Sequence, residues 1–108
     1  MANINTLVKT LLSAVTATGA GNAVTGPAGY KTFQARGTTS AGAGAATIVV
    51  QGSNDDGVSW DTVGTITLTL ATTSSSDSFT DASRYGSYRG NVTALSGTTA
   101  TVSLFMGA

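Results

Sequence analysis

The residues best placed to do chemistry are Asn54, Asp55, Asp56 and Asp61, three carboxylates and an amide within eight positions of a 108-residue chain. Hard oxygen ligands of this kind are what a calcium ion takes. The spacing is not that of an EF-hand loop, because the closing bidentate glutamate is missing. The same run, Gly52-Ser53-Asn54-Asp55-Asp56-Gly57-Val58-Ser59-Trp60-Asp61, suits an Asx-rich turn between two strands. On that reading Gly57 is left-handed, Trp60 anchors the hairpin in the core, and no metal or cofactor is expected.

The rest of the chain offers little to catalysis. It has no histidine, no cysteine and no glutamate, and its acids are Asp55, Asp56, Asp61, Asp77 and Asp81. Ser-His-Asp triads, Cys-His pairs, imidazole or thiolate zinc sites and disulfides are therefore excluded, and acid–base work would fall to aspartates alone. A non-enzyme is expected. Five basic and five acidic residues leave no net charge and no basic cluster, which argues against nucleic acid, since phosphate binding needs a concentrated positive face. Asn91-Val92-Thr93 matches a glycosylation acceptor but falls inside a predicted strand. Asp77, Asp81, Arg84 and Arg89 read as solvated charge that pairs internally or with a partner. Tyr30, Tyr85 and Phe105 read as exposed aromatics, a sugar-stacking platform or a protein contact. The candidate partner-contact residues are thus Tyr30, Arg36, Asp55, Asp56, Arg84, Tyr85, Arg89 and Phe105.

The elements that must position them are strands. Charged residues make up 9% of the chain, against about a quarter in ordinary domains, and 20 threonines and 12 serines supply the polarity instead. Threonine is β-branched and suits a pleated, half-exposed surface. Over residues 65–70, Thr65, Thr67 and Thr69 alternate strictly with Ile66, Leu68 and Leu70, the signature of a strand with one wet face. Residues 31–38, 88–94 and 100–106 alternate likewise. Residues 46–51, with Ile48, Val49 and Val50, form an apolar run expected to be covered on both sides. Residues 7–16 fit either a helical face or a strand, and the strand is preferred because the segment runs straight into Thr, Gly and Ala. Turn signals fall at 19–22, 26–29, 39–44, 54–57, 72–76, 81–83 and 96–97, with Ala41-Gly42-Ala43-Gly44 expected as a flexible hairpin tip. This spacing predicts an all-β domain, a β-sandwich or jelly-roll-like fold of about seven to nine antiparallel strands. Residues 1–30 would be an N-terminal arm carrying the first strand or strands, and 31–108 the sandwich core of the same unit.

The predicted core comprises Leu11, Val24, Phe33, Ile48, Val50, Trp60, Ile66, Leu68, Leu70, Phe79, Tyr88, Val92, Val102 and Leu104. That core is thin for the chain's length, so burial against neighbouring subunits would add to stability. Low surface charge also leaves little repulsion between copies. Residues 9–20 fit a secretion signal poorly, because Thr10, Ser13, Thr16 and Thr18 interrupt the apolar stretch. No apolar run is long enough for a membrane-spanning helix.

Ile48-Val49-Val50-Gln51-Gly52-Ser53-Asn54-Asp55-Asp56-Gly57-Val58-Ser59-Trp60 and then Val63-Gly64-Thr65-Ile66-Thr67-Leu68 resemble a pattern in small structural proteins of tailed bacteriophages. The segment from Tyr85 to Leu95, with Val92-Thr93-Ala94-Leu95-Ser96-Gly97, and the closing Val102-Ser103-Leu104-Phe105-Met106-Gly107 are similar to the same proteins. Upstream, Thr10-Leu11-Leu12-Ser13-Ala14 and Lys31-Thr32-Phe33-Gln34 fit the type, and the likeness runs over roughly residues 45–108. The doubled Asp55-Asp56 departs from the single Asp-Gly turn of the pattern and lengthens that loop. The resemblance implies a capsid decoration or cement subunit on the outer surface of a virion. Its partner would be the major capsid protein, and it would self-associate as a dimer or trimer, without nucleic acid or membrane. A phage tail or baseplate β protein is the neighbouring expectation, and a carbohydrate-binding module the one from a different class.

Overall fold

The computed structural model describes residues 8–25 and 30–107. The protein is all-β, with β1 (Val8–Val15), β2 (Gly19–Ala20), β3 (Val24–Thr25), β4 (Lys31–Thr38), β5 (Ala41–Ser53), β6 (Asp61–Leu70), β7 (Ser75–Asp81), β8 (Ser87–Thr98) and β9 (Thr101–Gly107). Every pairing is antiparallel. Sheet A runs β1-β9-β4-β7, and sheet B runs β2-β8-β5-β6 with β3 also on β8. The molecule is a slab, 41 × 39 × 17 Å, as thin as two sheets packed about 10 Å apart require.

Alternation drives this arrangement. Phe33 and Ala35 of β4, Ile48 and Val50 of β5, Ile66, Leu68 and Leu70 of β6, and Val102, Leu104 and Met106 of β9 are buried between the sheets. Their odd-numbered or even-numbered neighbours, chiefly Thr, Ser and Gln, face outward. A two-residue period places one phase inside and the other in water. One hydrophobic cluster results, with Leu11, Leu12, Ala46, Tyr88, Val92 and Ala100 completing it. Val24 and Phe79, expected in the core, are half-buried against its margin.

The chain changes sheet repeatedly. At one end of the slab it crosses through residues 39–40, 71–74 and 99–100, and at the other lie the connections 54–60 and 82–86. Ala41-Gly42-Ala43-Gly44 is not a hairpin tip. It opens β5, with Gly44 opposite Leu70 and Ala41 opposite Thr98, because the turn is completed already by Thr39 and Ser40. Residues 46–51 are central in sheet B, between β6 and β8, yet only one face is fully covered. Thr47, Val49 and Gln51 stay half-buried on the outside, and their shielding comes from side neighbours rather than from a third layer.

The segment 8–15 is a strand, paired to β9 with two register shifts, while β2 and β3 lean on β8 of the other sheet. The expected turn at Gly26-Pro27-Ala28-Gly29, together with residues 1–7, lies outside the described residues.

Candidate functional site

The richest cluster of polar and aromatic side chains lies at the end of the slab that carries the 54–60 and 82–86 connections. There β5 and β6 are joined by a loop that folds on its own side chains. Ser53 is buried, and its Oγ accepts from the Gly57 and Asp55 amides, at 3.0 and 3.3 Å, while donating to Asp55 Oδ1 at 2.7 Å. Asp55 Oδ1 accepts the Ser59 amide at 3.0 Å, and Oδ2 accepts the Ser59 hydroxyl at 2.6 Å. Gly57 has φ +83° and Asp56 φ +58°, the left-handed pair that reverses the chain. The Asx turn read from the sequence is therefore present. Hydrogen bonds from the Ser59 hydroxyl, then the Ser59 amide and the Ser53 hydroxyl, hold the Asp55 carboxyl down from the usual 3.8 to about 2. Asp55 acts as an anionic staple for the loop.

Trp60 does not anchor the hairpin in the core. It is half-exposed, its Nε1 donates to the Gly57 carbonyl at 3.1 Å, and the Arg89 guanidinium lies 4.3 Å from its ring centre. The cause is a bulge. β5 and β6 slip register between Val50 opposite Gly64 and Gln51 opposite Thr62, so even-numbered residues that point inward from Gly64 onward point outward at Thr62 and before. Trp60 thereby joins Gln51 and Arg89 on the outer face, where Arg89 Nε donates to Gln51 Oε1 at 2.8 Å. The planar guanidinium thus stacks and hydrogen-bonds at once.

The second loop is built around Tyr88, which is fully buried. Its hydroxyl donates to the Ser83 carbonyl at 2.9 Å, lies 2.9 Å from Ser83 Oγ, and accepts the Tyr85 amide at 3.2 Å. A tyrosine hydroxyl bonded back to the chain just upstream is the same device as the tyrosine corner of other sandwiches. Lys31, also buried, donates from Nζ to the Ser83 carbonyl and sits 5.0 Å from the Tyr88 ring centre. Gly86 N donates to Asn54 Oδ1 at 2.8 Å, tying the two loops together. Between them Asn54, Ser83, Arg84 and Tyr85 line an open recess of about 370 Å³.

Six of the eight candidate contact residues come together at this end. Asp55 and Asp56 are in the first loop, Arg84 and Tyr85 in the second, Arg89 at the start of β8, and Tyr30, 77% exposed, immediately before β4. Tyr85 is not the free aromatic expected. It is half-buried, edge-on to Tyr88 at 6.1 Å, with its ring so close over Gly52 that any Cβ there would come within 2.4 Å. Two candidates lie elsewhere. Arg36 is exposed on the outer face of sheet A, beside Thr101 and Ser103 near the opposite end. Phe105 shares that outer face between Thr10 and Gln34 and is half-buried rather than exposed. Among the described residues no ion pair joins Asp77, Asp81, Arg84 and Arg89. Asp77 and Asp81 accept backbone amides of Ser78 and Ser83 instead. Asn91-Val92-Thr93 lies within β8, with Val92 buried.

Lys31 and Ser83 were not among the candidates. Lys31 shares the inward phase of Phe33 and Ala35, and that phase was the signal that could have found it. Among the described residues every buried side-chain nitrogen and oxygen has a hydrogen-bond partner, and no group of His, Cys, Asp or Glu is arranged to hold a metal. What this end presents is a polar, aromatic-edged surface with cation, anion and amide groups in fixed positions. No protein-family model, curated protein or solved structure matches the chain.

Proposed function

We propose that the chain is a non-enzymatic virion structural protein, a decoration or cement subunit seated on the outer surface of a phage capsid across neighbouring copies of the major capsid protein. The sequence pattern over roughly residues 45–108 suggests the class. The observation that carries the contact surface is the clustering of Tyr30, Asp55, Asp56, Arg84, Tyr85 and Arg89 at one end of a thin, neutral slab. A rigid loop pair of mixed charge suits a protein partner, because fixed groups lose little freedom on binding. Many such contacts, each weak, become strong when their sites are fixed in a lattice. The tail or baseplate reading assigns the same surface to a different partner. No observation favours a sugar-binding module, since the Tyr85 ring is packed on Gly52 and Tyr88.

The deciding experiment fractionates particles from a host producing this chain and compares heads with and without it. Co-purification with heads, and heads that burst at lower temperature when the chain is missing, support the cement reading. Fractionation with tails supports the tail reading. Heads of unchanged composition and heat stability in its absence refute the cement role. Under that role, Arg84→Ala and Tyr30→Ala should weaken rebinding to bare heads without altering the isolated fold.

A further inference from the structure

The two sheets have four lateral edges, and three of them carry the devices that keep strands from pairing with other chains. β1 is broken by two register shifts, with Ala14 at φ +49°. β2 and β3 are two residues long each. β7 carries Asp77 opposite Ala35 on the phase that points between the sheets, an inward charge at an edge. β6 differs. It is ten residues long, is paired only to β5 among the described residues, and after Asp61 has neither charge nor proline. Its one bulge lies at residues 62–64, and beyond it the strand runs regularly opposite Gly44 to Ile48. Ser75 Oγ donates to the Thr69 carbonyl at 2.7 Å at the far end, and the Phe79 ring of β7 packs against Gly64 near the bulge.

We propose that β6 is the self-association edge of this protein, taking β6 of a second copy antiparallel about a twofold axis to make sheet B continuous across a dimer. The strand is complementary to itself. The register that centres Thr67 on the twofold axis keeps the inner face continuous, sets Thr65 opposite Thr69 and Thr67 opposite its own copy, and sets Ile66 opposite Leu68. Threonine pairs and β-branched pairs are favourable cross-strand neighbours. The one charge, Asp61, is at the strand's first position, so antiparallel pairing sends the two copies' aspartates to opposite ends. An isologous contact needs such self-complementarity, and a closed twofold dimer leaves no further edge of this kind to propagate a fibre. This inference is independent of the virion reading and names a surface on the opposite side of the question from the loop cluster.

Analytical ultracentrifugation of the intact chain over rising concentration should show a monomer–dimer equilibrium. Thr67→Lys puts an ammonium on the exposed face at mid-strand, and should raise the dimer dissociation constant about tenfold or more, whereas Thr10→Lys on β1 should leave it unchanged. The chain has no cysteine, so Thr65→Cys, Thr67→Cys and Thr69→Cys can be oxidised singly. At least one should give a disulfide-linked dimer, and Thr10→Cys none. A chain that stays monomeric at every concentration, or that is captured only by a strand of another protein, overturns the proposal. So does a dimer that survives Thr67→Lys and forms no cross-link from β6. None of these results bears on whether the chain fractionates with heads, so the two readings fail separately.

Discussion

At the end of the slab that carries Tyr88, side chains hold the loops: Ser53, Asp55 and Ser59 close one, and the Tyr88 hydroxyl and the Lys31 ammonium close the other. At the opposite end the crossings are held by single bonds to main-chain carbonyls, from backbone amides and from the hydroxyls of Thr39, Ser40, Ser75 and Thr101, and by close approach. The Thr39 amide donates to the Ala71 carbonyl and the Ser40 amide to the Thr98 carbonyl, both at 2.9 Å, while Gly44 is pressed against Ser96 and Gly97. The difference separates two ways of ordering a loop. Linked side-chain networks fix the positions of several polar side chains at once, whereas isolated hydroxyl-to-carbonyl bonds and glycine contacts fix chiefly the path of the chain.

Removing the large side chain at the networked end should have the greatest effect. Tyr88→Ala empties a buried aromatic site that touches Phe33 at 5.3 Å between ring centres, and the expected loss is about 3–5 kcal/mol, read from urea unfolding. Amide exchange should rise across residues 82–86 as well as in the core, because the loop loses its three bonds to the Tyr88 hydroxyl and keeps only the Lys31 tie at the Ser83 carbonyl among those described. At the other end, Gly44→Ala places a Cβ 2.3 Å from the Ser96 carbonyl oxygen and 2.9 Å from Thr39 Cγ2. Backbone must move to admit it, at a cost of about 1–3 kcal/mol. Here exchange should rise at residues 39–44 and 96–99 and stay unchanged at 82–86. Equal loosening of both ends by either substitution would remove the distinction drawn between them.

Tyr88→Phe isolates the polar part of the same site. The ring and its packing remain, and three groups lose a partner: the Ser83 carbonyl, Ser83 Oγ and the Tyr85 amide. The Ser83 carbonyl keeps Lys31, so the expected loss is about 1–2 kcal/mol rather than the full cost of a stranded group. A loss near zero would show that Lys31 alone holds the loop.

How far this contrast could be read from the sequence depends on phase. Strict alternation in Ile66, Leu68 and Leu70, and in Val102 and Leu104, carried the sheets and most of the core, because a period of two has one inner face. The Asx turn was legible because Ser53, Asp55 and Gly57 have local partners and a backbone preference of their own. Trp60 was misplaced because its hydrophobicity was weighed without the bulge at residues 62–64, which inverts the phase behind it. Ala41 to Gly44 have side chains too small to show a phase at all, so their place at the start of β5 was hidden. Lys31 lies in step with Phe33, but beyond that phase a lone cation at the start of a strand carries no local signal that it is buried. The gathering of the loops at one end depends on β5 and β8 being neighbours, a long-range pairing that no local pattern specifies.

The smallest expected effect tests the loop staple itself. The Asp55 carboxyl is lowered from 3.8 to about 2 by the Ser59 and Ser53 hydrogen bonds, so the folded state favours its ionised form. Its contribution is fully present above the unfolded value near 3.8 and is lost as the pH falls through about 2. The carboxylate is at the surface, which keeps the contribution small and open to screening by salt. Asp55→Asn keeps the shape of the side chain and one acceptor but cannot titrate. The wild-type chain should therefore lose more stability than Asp55→Asn between pH 4 and pH 2, the two converging at the acid end, as read from thermal unfolding at matched ionic strength. Identical pH profiles would mean that Ser59 and Ser53 hold the loop without needing the charge, and that the networked end is ordered by neutral hydrogen bonds and packing.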